Sequence, residues 1–407
     1  MTLNFRLSAL LLLAGAMSLH AMPGLAHEHD EAWRLFVADH TTGRITALEL
    51  AHPEKRWSFE VTGPAKLYPS ETGRAVIAVQ SDHDEVAFLS SGITLKSHGD
   101  HADIEIAEPT KIDAVLTGPR PFHVVSHAGF TAINFDKGGY AALLSEAEML
   151  EGRLDGVRFP QSRAHHGFVA GMKDYIISSV ASPDAPVKAG DPAPRIGAQS
   201  FRRDGTAIGS MQPCTDLHGE AFSGEFLLTG CKEGVVAIRD RNGQAEFTML
   251  AYPQDLPAGN TGTLLGSTGM QIFLGNYGAQ GLVVIDPTEA PYFQYLELPF
   301  RRVDFILDPV RPQFGYALTE DGVLHRIDLL QARIERSVQV TKAYSMEGHW
   351  RDPRPRLAIA DEHLVLTDPR QSNLLVLHAE NLTEEARIAV DGLPYNIVAI
   401  GGSGVRH

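Results

Sequence analysis

The chain has 407 residues, 43% of them hydrophobic and 21% charged, with a formal net charge of −15. An acidic chain without a Lys/Arg run is a poor partner for nucleic acid or an anionic membrane surface, and a better one for cations. The two cysteines, Cys214 and Cys231, lack CxxC spacing, which favours a disulfide over the rival reading of a thiolate metal site.

The chain opens with Arg6, an apolar run from Leu7 to Leu19 and a small-residue stretch ending Gly24-Leu25-Ala26. That layout predicts a secretory signal peptide over residues 1–26, cleaved after Ala26 or after Ala21, and export to the periplasm. The run is too short to span a bilayer, and no later segment approaches the roughly 20 apolar residues a membrane helix needs. Cleavage leaves His27, Glu28, His29 and Asp30 at the new terminus, on a tail expected to stay flexible over residues 27–33. Its imidazoles and carboxylates suit accessory metal capture, and a charged terminus without function is the plain alternative.

Residues 34–407 are expected to form one domain. Across them, short alternating runs are separated by many of the chain's 38 glycines and 24 prolines, an all-β signature. Arg74 to Gln80, Glu85 to Leu89, Phe130 to Phe135, Tyr175 to Ser179, Glu225 to Thr229, Gln271 to Leu274 and Gly315 to Thr319 each read as one strand. Aligning the segments that lead into such runs gives unit starts at Lys66, His123, His166, His218, Asn260, Asp304, His349 and Asn396. Their mean spacing, (396 − 66)/7 or about 47 residues, matches propeller blades of four strands. The eighth unit is short of strands at the C-terminus. Arg34 to Ala38, Arg44 to Leu50 and Trp57 to Val61 supply them, so a β-propeller of eight blades, or seven if one alignment is forced, closes by joining both chain ends in one blade.

Innermost strands begin beside the channel, so these eight starts should form a ring at one mouth. Four are histidine, whereas 8 × 18/407, about 0.35, would fall there by chance. His123, His166 and His218 come from consecutive blades, so their imidazoles can converge on one ion. His165, Asp216 and Asp304 are spare ligands nearby, and His349 lies across the ring. Zn(II) takes imidazole nitrogen in a tetrahedral shell, which three histidines and a carboxylate or water complete. Polar strand starts bonded to channel water are the alternative.

His98, Asp100 and His101, in a loop before the strand from Ile104, make a second compact cluster once Gly99 lets the chain turn. Blade wiring places that loop at the opposite mouth. His127, four residues beyond His123 on the same strand face, can join it there. Here the alternative is a solvated loop. Cys214 and Cys231, 17 positions apart across a hairpin, are expected to form a disulfide in an oxidising compartment. GxSxG, HExxH, Walker A, GxGxxG and CxxCH are all absent, so no enzyme is expected.

Ser97 to His101, Pro121 to His127, Ala164 to Gly167 and Leu217 to Glu220 together resemble the AztD-type periplasmic zinc metallochaperones. The resemblance implies a propeller that binds Zn(II) and passes it to the solute-binding protein of a zinc ABC importer. It implicates His98, Asp100, His101, His123, His127, His165, His166 and His218, while His349 and Asp304 rest on the ring alone. The tail at His27, His29 and Asp30 looks like that family's metal-binding tail. A monomer is expected. Two other readings remain, a metal-dependent propeller hydrolase or lactonase and a non-catalytic scaffold.

Overall fold

A computed structural model describes residues 29–98, 101–188, 190–267 and 269–405. The leader, His27, Glu28 and Asp100 lie outside the described residues. Among those described, the strands form eight sheets arranged as an eight-bladed propeller. Numbered from Lys66, blade 1 is Lys66–Pro69, Ala75–Gln80, Glu85–Ser90 and Thr110–Thr117, innermost strand first. Blades 2 to 7 repeat the pattern, with innermost strands Pro121–His127, Val169–Gly171, His218–Ser223, Leu264–Gly266, Arg302–Leu307 and Leu357–Ala360.

Blade 8 joins the two chain ends. Its innermost strand is Pro394–Val405, followed outward by His29–Asp39, Arg44–Glu49 and Arg56–Glu60. The pairing of Arg34 with Ile400 and Ala38 with Asn396 replaces what would be two free edges. Residues 29–33, expected to form a flexible tail, instead continue that strand against Gly401–Val405. The longer ladder satisfies backbone donors and acceptors of both chain ends.

The sequence runs read as strands are mostly the second strands of the blades. Ala75–Gln80 is buried at every position and Phe130–Phe135 at all but its first, because neighbouring blades cover both faces. Outermost strands alternate, as in Thr110–Thr117 and Gln244–Ala251, with one face in water. The apolar core therefore lies between blades. One cluster sets Ile77, Val79, Val86 and Phe88 of blade 1 against Ile133, Phe135 and Ala142 of blade 2.

Two features depart from a plain propeller. A short helix, Glu146–Leu150, interrupts blade 2 and is capped by Ser145 and Glu148 in a capping box. The hairpin Ile93–His98 and His101–Ile106 is inserted within blade 1, and His101–Ile106 runs parallel to the end of Pro394–Val405. The innermost strand of blade 8 enters beside Leu67, whose N–H donates to Asn396 Oδ1, and leaves by this hairpin. The hairpin thus sits away from the mouth where innermost strands begin. Cys214 and Cys231 are buried and joined by a disulfide. No helix of the described residues is long and apolar enough to cross a membrane.

Candidate metal centre

Three consecutive blades each bring one imidazole to the mouth where the innermost strands begin. His123 is the third residue of Pro121–His127, His166 stands three residues before Val169–Gly171, and His218 opens His218–Ser223. The His166 Nε2 atom lies 3.3 Å from His123 Nε2 and 3.2 Å from His218 Nε2. One candidate ligand atom from each residue lies within 4.8 Å of the other two.

Irregular backbone aims these rings. The ladder shifts between Pro121 and Val124 and again between His218 and Glu220, bulges that re-aim side chains without ending the strand. At the second bulge Gly219 has φ +77°, and a Cβ there would meet the Gly262 carbonyl oxygen at 2.6 Å. Glycine is required on both counts.

Each Nδ1 faces an acceptor that cannot donate. His123 Nδ1 donates to Glu220 Oε1 at 2.9 Å, His166 Nδ1 to Asp136 Oδ2 at 2.7 Å, and His218 Nδ1 to the Gly262 carbonyl at 2.6 Å. The proton of each neutral ring is thereby fixed on Nδ1, and the three Nε2 lone pairs point inward. These acceptors are themselves held. Asn134 Nδ2 donates to Asp136 Oδ1, and Asn276 Oδ1 accepts from the N–H groups of Gly262 and Thr263. Glu220 Oε2 is buried with no hydrogen-bond partner.

The geometry suits a tetrahedral cation. Zinc–nitrogen bonds of about 2.0–2.1 Å place ligand atoms roughly 3.3–3.4 Å apart, close to the two nitrogen separations observed. Two nearby carboxylates offset the charge of a divalent ion and raise the basicity of their imidazoles. Asp136→Asn removes one of those charges, and zinc affinity by chelator competition is expected to fall about 10- to 100-fold.

Burial pushes His218 down to about 4, from an ordinary value near 6.5. The ring is therefore neutral and ready for metal at pH 7. Because the folded value is depressed, the unfolded chain takes up the proton first as pH falls. The stability linked to a neutral His218 is complete above pH ~6.5 and declines towards pH ~4, by an amount on the order of 3 kcal/mol. Denaturant unfolding of the metal-free protein at pH 7 and pH 4.5 measures it, and His218→Asn should flatten that part of the profile.

The other sequence-picked residues do not join the triad. His165 is buried, with Nδ1 against the Arg163 carbonyl at 2.7 Å and Nε2 against Ser179 Oγ at 2.8 Å, so neither nitrogen is left for a metal. His127 is at the far end of its strand, stacked on Phe222, with Nδ1 facing the Gly171 carbonyl at 3.0 Å. Asp304 pairs with Arg356 at 3.3 Å and accepts from the Leu357 N–H, across the channel from the triad. His349 is exposed in the connection ahead of Leu357–Ala360, eight residues before the strand that its alignment placed there. His98 and His101 pair opposite each other at the tip of the inserted hairpin. His29 and Asp30 are in the paired strand of blade 8, while Asp100 and His27 fall outside the described residues.

Asp136, Glu220, Gly262 and Asn276 are supports that sequence reasoning missed. Glu220 lies only two residues from His218, but the bulge at Gly219 breaks the regular alternation between them, so spacing alone gave no sign that it would reach His123. Asp136 and Gly262 belong to blades adjoining those of the histidines they hold.

No protein-family model matches the chain. A curated protein of Citrobacter koseri, zinc chaperone AztD, is 40% identical over 392 residues, covering 96% of this chain and 92% of that one. A crystal structure of Citrobacter koseri AztD has a TM-score of 0.89 and 40% identity, covering 93% of this chain and 100% of that one. The apo form from the same organism has a TM-score of 0.86 and 39% identity, covering 92% and 99%. Dihydro-heme d1 dehydrogenase NirN in complex with DHE, 13% identical with a TM-score of 0.57 over 90% of this chain and 74% of that one, shares the fold alone. The chain belongs to the AztD family of zinc chaperones.

Proposed function

We propose that this protein is a periplasmic, non-catalytic metallochaperone that holds Zn(II) on His123, His166 and His218 and transfers it to the solute-binding protein of a zinc ABC importer. The observation carrying this reading is the convergence of three Nε2 atoms at separations of 3.2 and 3.3 Å, each ring fixed through its Nδ1. Three protein ligands leave a fourth position on a tetrahedral ion. A ligand from an acceptor can enter there before any histidine leaves, so the ion passes through a mixed shell without being freed. The histidines are partly exposed, with side-chain accessibilities of 15% for His123 and 19% for His166, so an incoming ligand can reach them. His98, Asp100 and His101, with His27, His29 and Asp30, are proposed as accessory sites.

Mixing zinc-loaded protein with an apo solute-binding protein, in excess chelator that traps free zinc, tests transfer. Zinc should reach the acceptor at a rate that rises with acceptor concentration and exceeds spontaneous release. Equal rates to acceptor and chelator would contradict the proposal.

A further inference from the structure

The connection from blade 6 to blade 7, residues 340–356, is far longer than the neighbouring links 298–301 and 390–393. It is built around a buried guanidinium. Arg354, 4% exposed, donates through Nε to the Ser345 carbonyl, through Nη1 to that of His349 and through Nη2 to that of Glu347. Arg301 braces the loop from blade 6 by pairing with Glu347 at 2.9 Å and with Glu320 at 3.1 Å. At its tip Arg351 reaches past blade 8 and grips both oxygens of Asp82, in the turn between the second and third strands of blade 1.

That grip fixes where the loop stands. Ser81, beside Asp82, donates to the Pro121 carbonyl at 2.6 Å, two residues before His123. Asp82 also faces Arg120 at 3.8 Å. The loop therefore borders the mouth that holds the triad. Tyr344 and Met346 of the loop pack inward, whereas Trp350 is 58% exposed, with the Arg351 guanidinium 4.7 Å from its ring.

We propose that Trp350 is the anchor by which the zinc-accepting solute-binding protein docks on this mouth. The inference rests on the transfer function proposed above. An acceptor whose ligands reach the three Nε2 atoms must cover the mouth, and a standard interface of about 800 Å² per partner extends roughly 16 Å from its centre. The contact path from His123 through Pro121, Ser81 and Asp82 to Arg351 brings Trp350 to that rim. Because the loop is already braced, little ordering entropy is lost on docking, and a rigid indole entering an apolar pocket is a common interface hot spot.

Zinc transfer from loaded Trp350→Ala and Trp350→Phe to the apo solute-binding protein, followed by stopped flow at sub-saturating acceptor, tests this. Transfer should slow at least about tenfold for Trp350→Ala and largely recover for Trp350→Phe, with zinc affinity and release to chelator unchanged in both. A Trp350→Ala protein that transfers at the parental rate would overturn the docking role and leave the transfer function standing. A parent that transfers no faster than it releases zinc would sink the function itself. Loss of a dimer in Trp350→Ala by sedimentation would assign the residue to self-association instead.

Discussion

His166→Ala is expected to lower zinc affinity by about two to three orders of magnitude. Structural zinc sites are worth about 10–16 kcal/mol over four ligands, so one imidazole carries roughly 2.5–4 kcal/mol. His166 is the middle ring of the proposed site, with its Nε2 3.3 and 3.2 Å from the other two, so its removal also takes away the member that both flanking rings approach. His123→Ala and His218→Ala should fall in the same range, whereas deleting residues 27–30 should change affinity far less. His165→Ala is the sharper control, because that ring is adjacent in sequence but bonded into its own blade. Competition titration against a chelator of known affinity measures the series. Comparable losses for His165→Ala and His166→Ala would remove the basis for assigning the site to the triad.

The second large effect concerns ring closure. Arg34, 1% exposed, lies in the blade 8 strand formed by the N-terminus, and its Nη2 pairs with Glu49 at 2.5 Å. Its Nη1 donates to the Ser91 carbonyl and, at 3.0 Å, to that of Ala107, at the two ends of the inserted hairpin. One guanidinium thus ties the closing blade to blade 1. Arg34→Met leaves Glu49 and two carbonyls without their donor, and should cost about 3–5 kcal/mol in denaturant unfolding. Adding Glu49→Leu should restore part of that loss, since much of the cost is the carboxylate left unpaired. No recovery would point to lost packing against Trp57, whose ring lies 4.8 Å from the guanidinium.

The blade count was legible because second strands such as Ala75–Gln80 are buried on both faces and read as unbroken apolar runs. Innermost strands were harder to place. Val169–Gly171 and Leu264–Gly266 are three residues long, and Arg302–Leu307 contains a bulge beside Asp304, so the true strand start drifts from the aligned position. The drift is harmless at His166, three residues ahead of its strand. At His349 it reaches eight residues, and Arg356 occupies the channel wall instead, paired with Asp304 and Tyr395.

Side-chain direction was the least legible feature. His165 and His166 are indistinguishable by spacing to the blade repeat, yet in the irregular segment ahead of the strand His165 is bonded to Arg163 and Ser179 and only His166 turns to the channel. Supports reached across blades carry no local signal. Asp136 is 30 positions from His166, and Glu220 is 97 from His123. Their pairing is set by the ring of blades, which gathers the innermost strands of blades 2, 3 and 4 around one mouth.

The proposed zinc position lies between the rings of His123, His166 and His218. Diffraction from zinc-loaded crystals at the zinc absorption edge should give an anomalous peak about 2.0–2.1 Å from all three Nε2 atoms. A fully occupied zinc peak elsewhere, with none between these three rings, would contradict the account.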